Sequence, residues 1–159
     1  MTSDAFAQGI LAMRQMLYRI TCTQLERQAD REDAVQEAIR KAWEKRGSLR
    51  DERHLQTWVV RILLNECHNM QRRNGRCMPV EEVYGAAQAA PPDRAAELRL
   101  ALAALDERYR LPILLHYIEG MPIRQVARTL RVPVGTVQSR LARGRNLLKT
   151  ALAEEVLES

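Results

Sequence analysis

Residues 121–152 read MPIRQVARTLRVPVGTVQSRLARGRNLLKTAL, and they decide how the whole chain is interpreted. This stretch contains seven Lys or Arg and no Asp or Glu. Its apolar residues recur at the three- and four-residue spacing of a helix, and Pro133 falls where it would begin a second helix. The pattern predicts a helix-turn-helix with one apolar seam and a basic outer face.

The second helix of this pair carries side chains suited to duplex DNA. An α-helix fits the major groove, and residues near its N-terminus reach base edges. Donors for bases and phosphates stand there at Thr136, Gln138, Ser139 and Arg143. Other cations can neutralise backbone phosphates: Arg124, Arg128, Arg131, Arg140, Arg145 and Lys149. The arginines could instead merely solvate a helical hairpin, but the absence of acids favours DNA binding.

Composition bounds the class of protein. The 159 residues suffice for one or two small domains, and the net charge of +5 suits a polyanionic partner. The three cysteines form no CxxC pair and no zinc spacing, so we expect no metal and no cofactor. No run approaches the ~18 apolar residues that span a bilayer, and the polar N-terminus does not resemble a signal peptide. We therefore expect a cytoplasmic protein with no membrane insertion.

Periodicity predicts an all-α fold of two small helical domains. Three helices at about 4–27, 31–46 and 55–74 form a first domain, 1–75. Asp30 is expected to cap the second helix, and Gly47 to end it. The Pro- and Ala-rich segment 76–93 is expected to be a flexible linker.

The second domain, 94–159, is predicted to contain four helices. The first begins near Arg94, and Asp106 or Glu107 opens the next. Pro112 is expected in the first turn of that helix, because a deeper proline would kink it. The helix-turn-helix pair completes the domain.

The third helix leaves two interpretations open. Trp58, Arg61, Asn65 and the basic run 71–76 could bind single-stranded nucleic acid by stacking and charge. Alternatively, Trp58 is core and the run is a solvated helix end, which composition alone favours. No Ser/His/Asp set, glycine-rich phosphate loop or paired acid motif stands out anywhere, so we expect no enzyme activity.

Three runs together resemble the extracytoplasmic-function (ECF) sigma factors of the sigma-70 family. They are DREDAVQEAIRKAW (30–43), TWVVRILLNECHNMQRR (57–73) and YIEGMPIRQVARTLRVPVGTVQSRLARGRNLL (117–148). The resemblance implies a bacterial initiation factor that binds core RNA polymerase and directs promoter-specific transcription by reading −35 and −10 elements and helping to melt DNA. Pro122 departs from the family, which often has Ser or Thr as the cap at that position.

The resemblance also implies roles for residues of the first domain, which would be sigma-2. Polymerase-binding positions would be Asp33, Gln36, Glu37, Arg40 and Trp43. Positions near the melted −10 strand would be Trp58, Arg61, Asn65, Arg72 and Arg73. A flipped base would enter a pocket formed by the loop within about 47–57.

The second domain would be sigma-4, whose last helix reads the −35 element. Residues facing bases would be Gln138, Ser139, Ala142 and Arg143, and those facing phosphates Thr136, Arg140 and Arg145. The linker 76–93 would thread through polymerase near the active-site channel. Similar proteins are commonly held inactive by an anti-sigma factor, so such a partner is implied as well.

Two other classes of protein remain as alternatives on the residues alone. A stand-alone helix-turn-helix regulator would need a ligand cavity or a dimer seam, and it would bind duplex DNA tightly without polymerase. A helical interaction protein with a basic surface would instead bind an acidic protein.

Overall fold

The computed structural model describes residues 1–74 and 94–158, and every regular element within these two ranges is helical. The chain divides into two compact units, Met1–Glu82 and Val83–Ser159. The helices are α1 (Ser3–Gln24), α2 (Gln28–Glu44), α3 (Leu55–Asn74), α4 (Arg94–Ala104), α5 (Glu107–Ile113), α6 (Ile123–Leu130) and α7 (Val134–Glu158). The all-α prediction is confirmed. The predicted linker 76–93 lies outside the described residues.

In the first unit, α1, α2 and α3 pack on one another. Five apolar residues of α1 at helical spacing are buried, namely Phe6, Ile10, Met13, Leu17 and Ile20, whereas Leu11 is 67% exposed. On α2 the buried residues are Val35 and a line of three alanines with no exposed surface, Ala34, Ala38 and Ala42. Because alanine adds little bulk, α2 can approach its neighbours closely along this line.

The boundaries of α2 differ from both capping predictions. Arg27 occupies the N-cap position, and Asp30 lies inside the helix, where it accepts a hydrogen bond of 2.8 Å from Asn74 at the end of α3. The helix ends at Glu44, before Gly47, which lies in a 3₁₀ turn, Arg46–Ser48. Asp30 is thus a tertiary contact, and Gly47 is not the expected left-handed cap.

In the second unit, α4, α5 and α6 all pack against α7. The seam of α7 is formed by Val137, Leu141 and Leu148, which are 0%, 2% and 9% exposed. Gly144 lies on the same side, and a Cβ atom there would stand 2.4 Å from Cδ1 of Ile113 on α5. The missing side chain at Gly144 therefore permits the close contact between α5 and α7.

The proline in α5 lies deeper than predicted. Pro112 is the sixth residue of α5 instead of a first-turn residue. Proline cannot donate the backbone hydrogen bond that a continuing α-helix requires. After it the helix widens into a π turn, Leu114–Ile118, in which Glu119 N–H donates to Leu114 C=O at 3.0 Å. Gly120, with φ +72°, then turns the chain toward α6.

One buried ion pair joins α2 to α3. Lys41 Nζ donates to the carboxylate of Glu66, whose side chain is only 4% exposed, against 32% for Lys41. Removing one partner of such a pair leaves an uncompensated buried charge, whereas removing both leaves none.

Replacing Lys41 with Met should therefore lower the free energy of unfolding by about 3 kcal/mol, the lower end for a buried pair because Lys41 is partly exposed. The double variant Lys41→Met/Glu66→Met should recover most of that loss in urea denaturation. Arg40→Met, which breaks only exposed ion pairs one residue away, is the matched control and should change stability little. Equal destabilisation by the single and double variants would contradict this account.

Candidate nucleic-acid and polymerase interfaces

A tight turn joins α6 to α7. Arg131 ends α6 in the left-handed conformation, with φ 57° and ψ 46°, and Val132 N–H donates to Ala127 C=O at 3.1 Å. Pro133 C=O then accepts from Thr136 N–H at 3.0 Å, which opens α7. Three residues thus reverse the chain between the two helices, so the predicted helix-turn-helix is confirmed.

The buried seam of α7 determines which side chains face outward. Four of the predicted −35 residues are exposed: Gln138, Ser139, Ala142 and Arg143. Thr136 and Arg140 are half-buried beside them, and Arg145 is exposed. The hydroxyl of Ser139 donates to the backbone C=O of Thr136 at 3.0 Å, so it does not reach far from the helix in this state. None of the seven predicted residues belongs to the core.

Arg145 has a partner that the sequence did not predict. Its Nη1 donates to the hydroxyl oxygen of Tyr117, and its Cζ atom lies 5.9 Å from the Tyr117 ring centroid. Tyr117 follows the buried residues Ile113, Leu114 and Leu115 closely in sequence, but its own side chain is 51% exposed. The π turn after Pro112 explains the difference, because it changes the face on which Tyr117 emerges.

On α2 the predicted polymerase-binding residues form an outward face. Asp33, Gln36 and Arg40 are exposed, and Glu37 is half-buried. Arg40 bridges two carboxylates, donating from Nε to Glu37 at 3.0 Å and from Nη1 to Glu44. The hydrogen bond from Arg40 lowers the pKa of the Glu37 carboxyl. This face of α2 therefore carries both positive and negative charges, and the hydrogen bonds of Arg40 hold them in place.

Trp43 lies at the end of this face and is 41% exposed. Its ring centroid lies 5.9 Å from that of buried Phe6, and the guanidinium of Arg46 stacks over it at 3.8 Å. The same Phe6 ring meets Trp58 of α3 edge-on at 6.4 Å. One buried phenylalanine thus supports the two tryptophans that were predicted for polymerase binding and for −10 DNA.

On α3 four of the five predicted −10 residues share one side, and Arg73, which follows Arg72, lies about 100° further round the helix. Trp58, Arg61, Asn65 and Arg72 follow one another at steps of three, four and seven residues, which places them on one helix face. Trp58 and Arg61 are half-buried, whereas Asn65 and Arg72 are exposed. Trp58 is therefore neither fully core nor free: one part of its ring packs on α1, and another part reaches solvent.

A groove of about 930 Å³ runs between α2 and α3. It brings together residues predicted for polymerase binding and residues predicted for −10 DNA. The former are Asp33, Gln36, Glu37 and Arg40, the latter are Arg72 and Arg73, and the lining also includes Lys41, Glu66, Asn69 and Met70. Sequence reasoning missed Lys41 and Asn69. Lys41 lies four residues after Glu37, and Asn69 lies four residues before Arg73. This spacing places each pair on one helix face and could have indicated both residues. Asn69 also accepts a hydrogen bond of 3.0 Å from Arg72 Nη2.

The loop between α2 and α3, predicted to form the base pocket, consists largely of two 3₁₀ turns, Arg46–Ser48 and Glu52–His54. Asp51 opens the second turn by accepting from Arg53 N–H at 3.0 Å, and its carboxylate pairs with the Arg53 guanidinium at 2.9 Å. The side-chain hydrogen bond from Arg53 lowers the pKa of Asp51. The loop thus has a defined conformation of its own.

Two other kinds of site are absent from the described residues. Within 1–74 and 94–158, no helix is long and apolar enough to cross a membrane. Over the same ranges, no three His, Cys, Asp or Glu side chains are grouped so that they could hold a metal ion.

Comparisons with known proteins match both units. Residues 10–77 match the family model "Sigma-70 region 2", and residues 95–148 match "Sigma-70, region 4". The ECF RNA polymerase sigma factor SigM of Mycobacterium tuberculosis is 32% identical over 93% of this chain and 77% of its own length. SigW of Bacillus subtilis is 28% identical over 95% of this chain and 90% of its own length.

The fold is also similar to that of a solved sigma factor structure. The sigma factor RpoE of Bartonella quintana, crystallised with the anti-sigma factor NepR, superimposes with a TM-score of 0.77 at 25% identity, covering 94% of this chain and 97% of that one. The two family regions occur in the same order as the two helical units described above. The chain belongs to the ECF sigma factors of the sigma-70 family, promoter-specific transcription initiation factors that act with RNA polymerase.

Proposed function

We propose that the two units divide the work of promoter recognition. Residues 1–75 bind core polymerase and the −10 element, residues 94–159 read the −35 element, and residues 76–93 link them. The observation that carries this proposal is the geometry of α7. Its seam is buried, and its opposite side presents polar and basic groups with no acid between 121 and 152.

The −35 arm acts by direct readout in the major groove. Gln138, Ser139, Ala142 and Arg143 lie in the N-terminal half of α7, the part of a recognition helix that reaches base edges. Arginine donates two parallel hydrogen bonds to guanine O6 and N7, so Arg143 supplies most of the base discrimination. Thr136, Arg140 and Arg145 hold the backbone phosphates on either side.

The −10 arm acts on a melted strand. Trp58 offers a partly exposed aromatic face, and Arg61, Asn65, Arg72 and Arg73 offer donors along the same helix. Aromatic stacking and a basic track are what single-stranded DNA binding requires. A base flipped into the 47–57 loop costs a few kcal/mol in lost stacking, which contacts in the loop offset.

The polymerase-binding face comprises Asp33, Gln36, Glu37, Arg40 and Trp43 on α2. Its mixed charges fix orientation, and Trp43 supplies the aromatic anchor that protein interfaces favour. Because the α2–α3 groove contains residues of both this face and the −10 face, docking on polymerase places the −10 residues directly beside the partner.

Three finer points follow from the family. The chain itself catalyses no chemical step, since binding drives melting and polymerase forms the phosphodiester bonds. It works in the cytoplasm, where core polymerase is. An anti-sigma factor holds it inactive, a proposal supported by its likeness to a sigma factor that was crystallised with such a partner.

Arg143→Ala should relax the preference at one −35 base pair and weaken binding of the preferred sequence by about 1–3 kcal/mol. The measurement is holoenzyme affinity for promoters that carry each base pair at each −35 position. Lys149→Ala is the matched control, because it removes a charge from the same helix outside the base-reading half. An equal loss on all sequences would make Arg143 a phosphate contact instead.

Charge reversal at Asp33 and Glu37 should weaken binding to core polymerase at least tenfold, because both carboxylates lie on the docking face. The fold should survive, since Asp33 is exposed and the half-buried Glu37 pairs with the exposed side chain of Arg40. Binding to immobilised core polymerase measures the effect. Reversal of Asp4 and Glu26, two exposed acids on α1 and on the connection to α2, makes the same change of net charge elsewhere. Normal holoenzyme assembly by the Asp33/Glu37 variant would refute the docking face.

A further inference from the structure

The pairing of Tyr117 with Arg145 joins the π turn before the helix-turn-helix to the middle of α7. Arg145 Nη1 donates to the Tyr117 hydroxyl oxygen, and the guanidinium carbon lies 5.9 Å from the ring centroid. Among the described residues, the partner of Arg145 is thus a neutral phenol, so its positive charge is not compensated. Both side chains are exposed to solvent.

The chemistry of this pair favours an anion. The Tyr117 oxygen accepts from Arg145, which leaves its own O–H free to donate outward. The guanidinium has four further N–H groups, which match a phosphate in geometry and charge. Two donors from different elements therefore converge on the exposed surface.

Neighbouring residues hold the Tyr117 side chain of this pair in place. The Tyr117 ring packs edge-on against His116, with centroids 4.9 Å apart. His116 Nδ1 is hydrogen-bonded at 2.7 Å to the C=O of Met121, which is itself 2% exposed. This chain of contacts anchors Tyr117 to the segment that leads into α6, so little freedom is lost when a ligand binds.

We infer that Tyr117 and Arg145 form a two-donor clamp for one DNA backbone phosphate beside the −35 element, in which the Tyr117 hydroxyl and the Arg145 guanidinium bind two oxygens of the same phosphate. The inference rests on the proposed −35 role of α7 and adds Tyr117, for which the sequence predicted no role. The clamp also fixes the register of α7, because its two donors come from separate elements.

The test uses holoenzyme made from core polymerase and the full chain, on a promoter that this holoenzyme selects from a library. Tyr117→Phe keeps the ring and its packing and removes only the hydroxyl. It should weaken promoter binding about tenfold, as expected for a hydrogen bond to a charged group. The salt dependence should stay unchanged, because no charge is lost. Arg145→Gln should instead reduce the slope of log K against log [salt] by about 1.

A neutral methylphosphonate placed at single −35 positions identifies the phosphate. One position should weaken wild-type binding, and it should weaken binding by Tyr117→Phe and by Arg145→Gln less, because each variant has already lost one of the two contacts to that phosphate. Tyr109→Phe, a hydroxyl removal at a half-buried tyrosine of α5, should retain the wild-type profile.

Two different failures are distinguishable. If the holoenzyme selects no promoter, the proposed −35 role fails. If it selects one, but Tyr117→Phe keeps wild-type affinity or responds to every methylphosphonate as the wild type does, then the clamp alone is overturned. A loss confined to particular base pairs would also overturn it, because it would make Tyr117 a base contact.

Discussion

The second unit depends on the packing of every other helix against one side of α7. Val137, Leu141 and Leu148 form the seam, and Gly144 allows α5 to come close. Because the seam is buried, the rotation of α7 about its axis is fixed, and so is the set of side chains that can reach DNA. The sequence specificity of this unit therefore originates in its apolar core. The basic residues, with no acids among them, add affinity for any duplex.

The first unit uses a different device. Phe6 lies under both Trp43 and Trp58, and the Lys41–Glu66 pair joins the helices that carry them. Phe6, Lys41 and Glu66 are not among the residues proposed to bind polymerase or DNA. The Phe6 packing and the Lys41–Glu66 pair fix the position of the proposed polymerase-binding face relative to the proposed −10 face. A sigma factor needs this fixed arrangement, since DNA must melt next to the bound polymerase.

Local patterns predicted the fold because helical periodicity is local. The buried faces of α1 and α7 and the turn before Pro133 follow from spacing and proline chemistry alone. The site residues could be named from the resemblance, but their surroundings could not. The Asp30 contact is made by Asn74, 44 residues away. The α2–α3 groove forms only when two helices pack side by side, which local patterns do not predict. The contact between Arg145 and Tyr117 depends on the π turn after Pro112, and a proline in a sequence does not by itself predict a π turn.

The central claim is that this chain brings core polymerase to promoters by reading two DNA elements. Run-off transcription with core polymerase and the full chain, over a library of random templates, tests it most directly. Initiation is expected only when the chain is present, from templates that share two sequence blocks at a constant separation. No initiation from any template, together with tight duplex binding by the free protein, would contradict it and favour a stand-alone regulator.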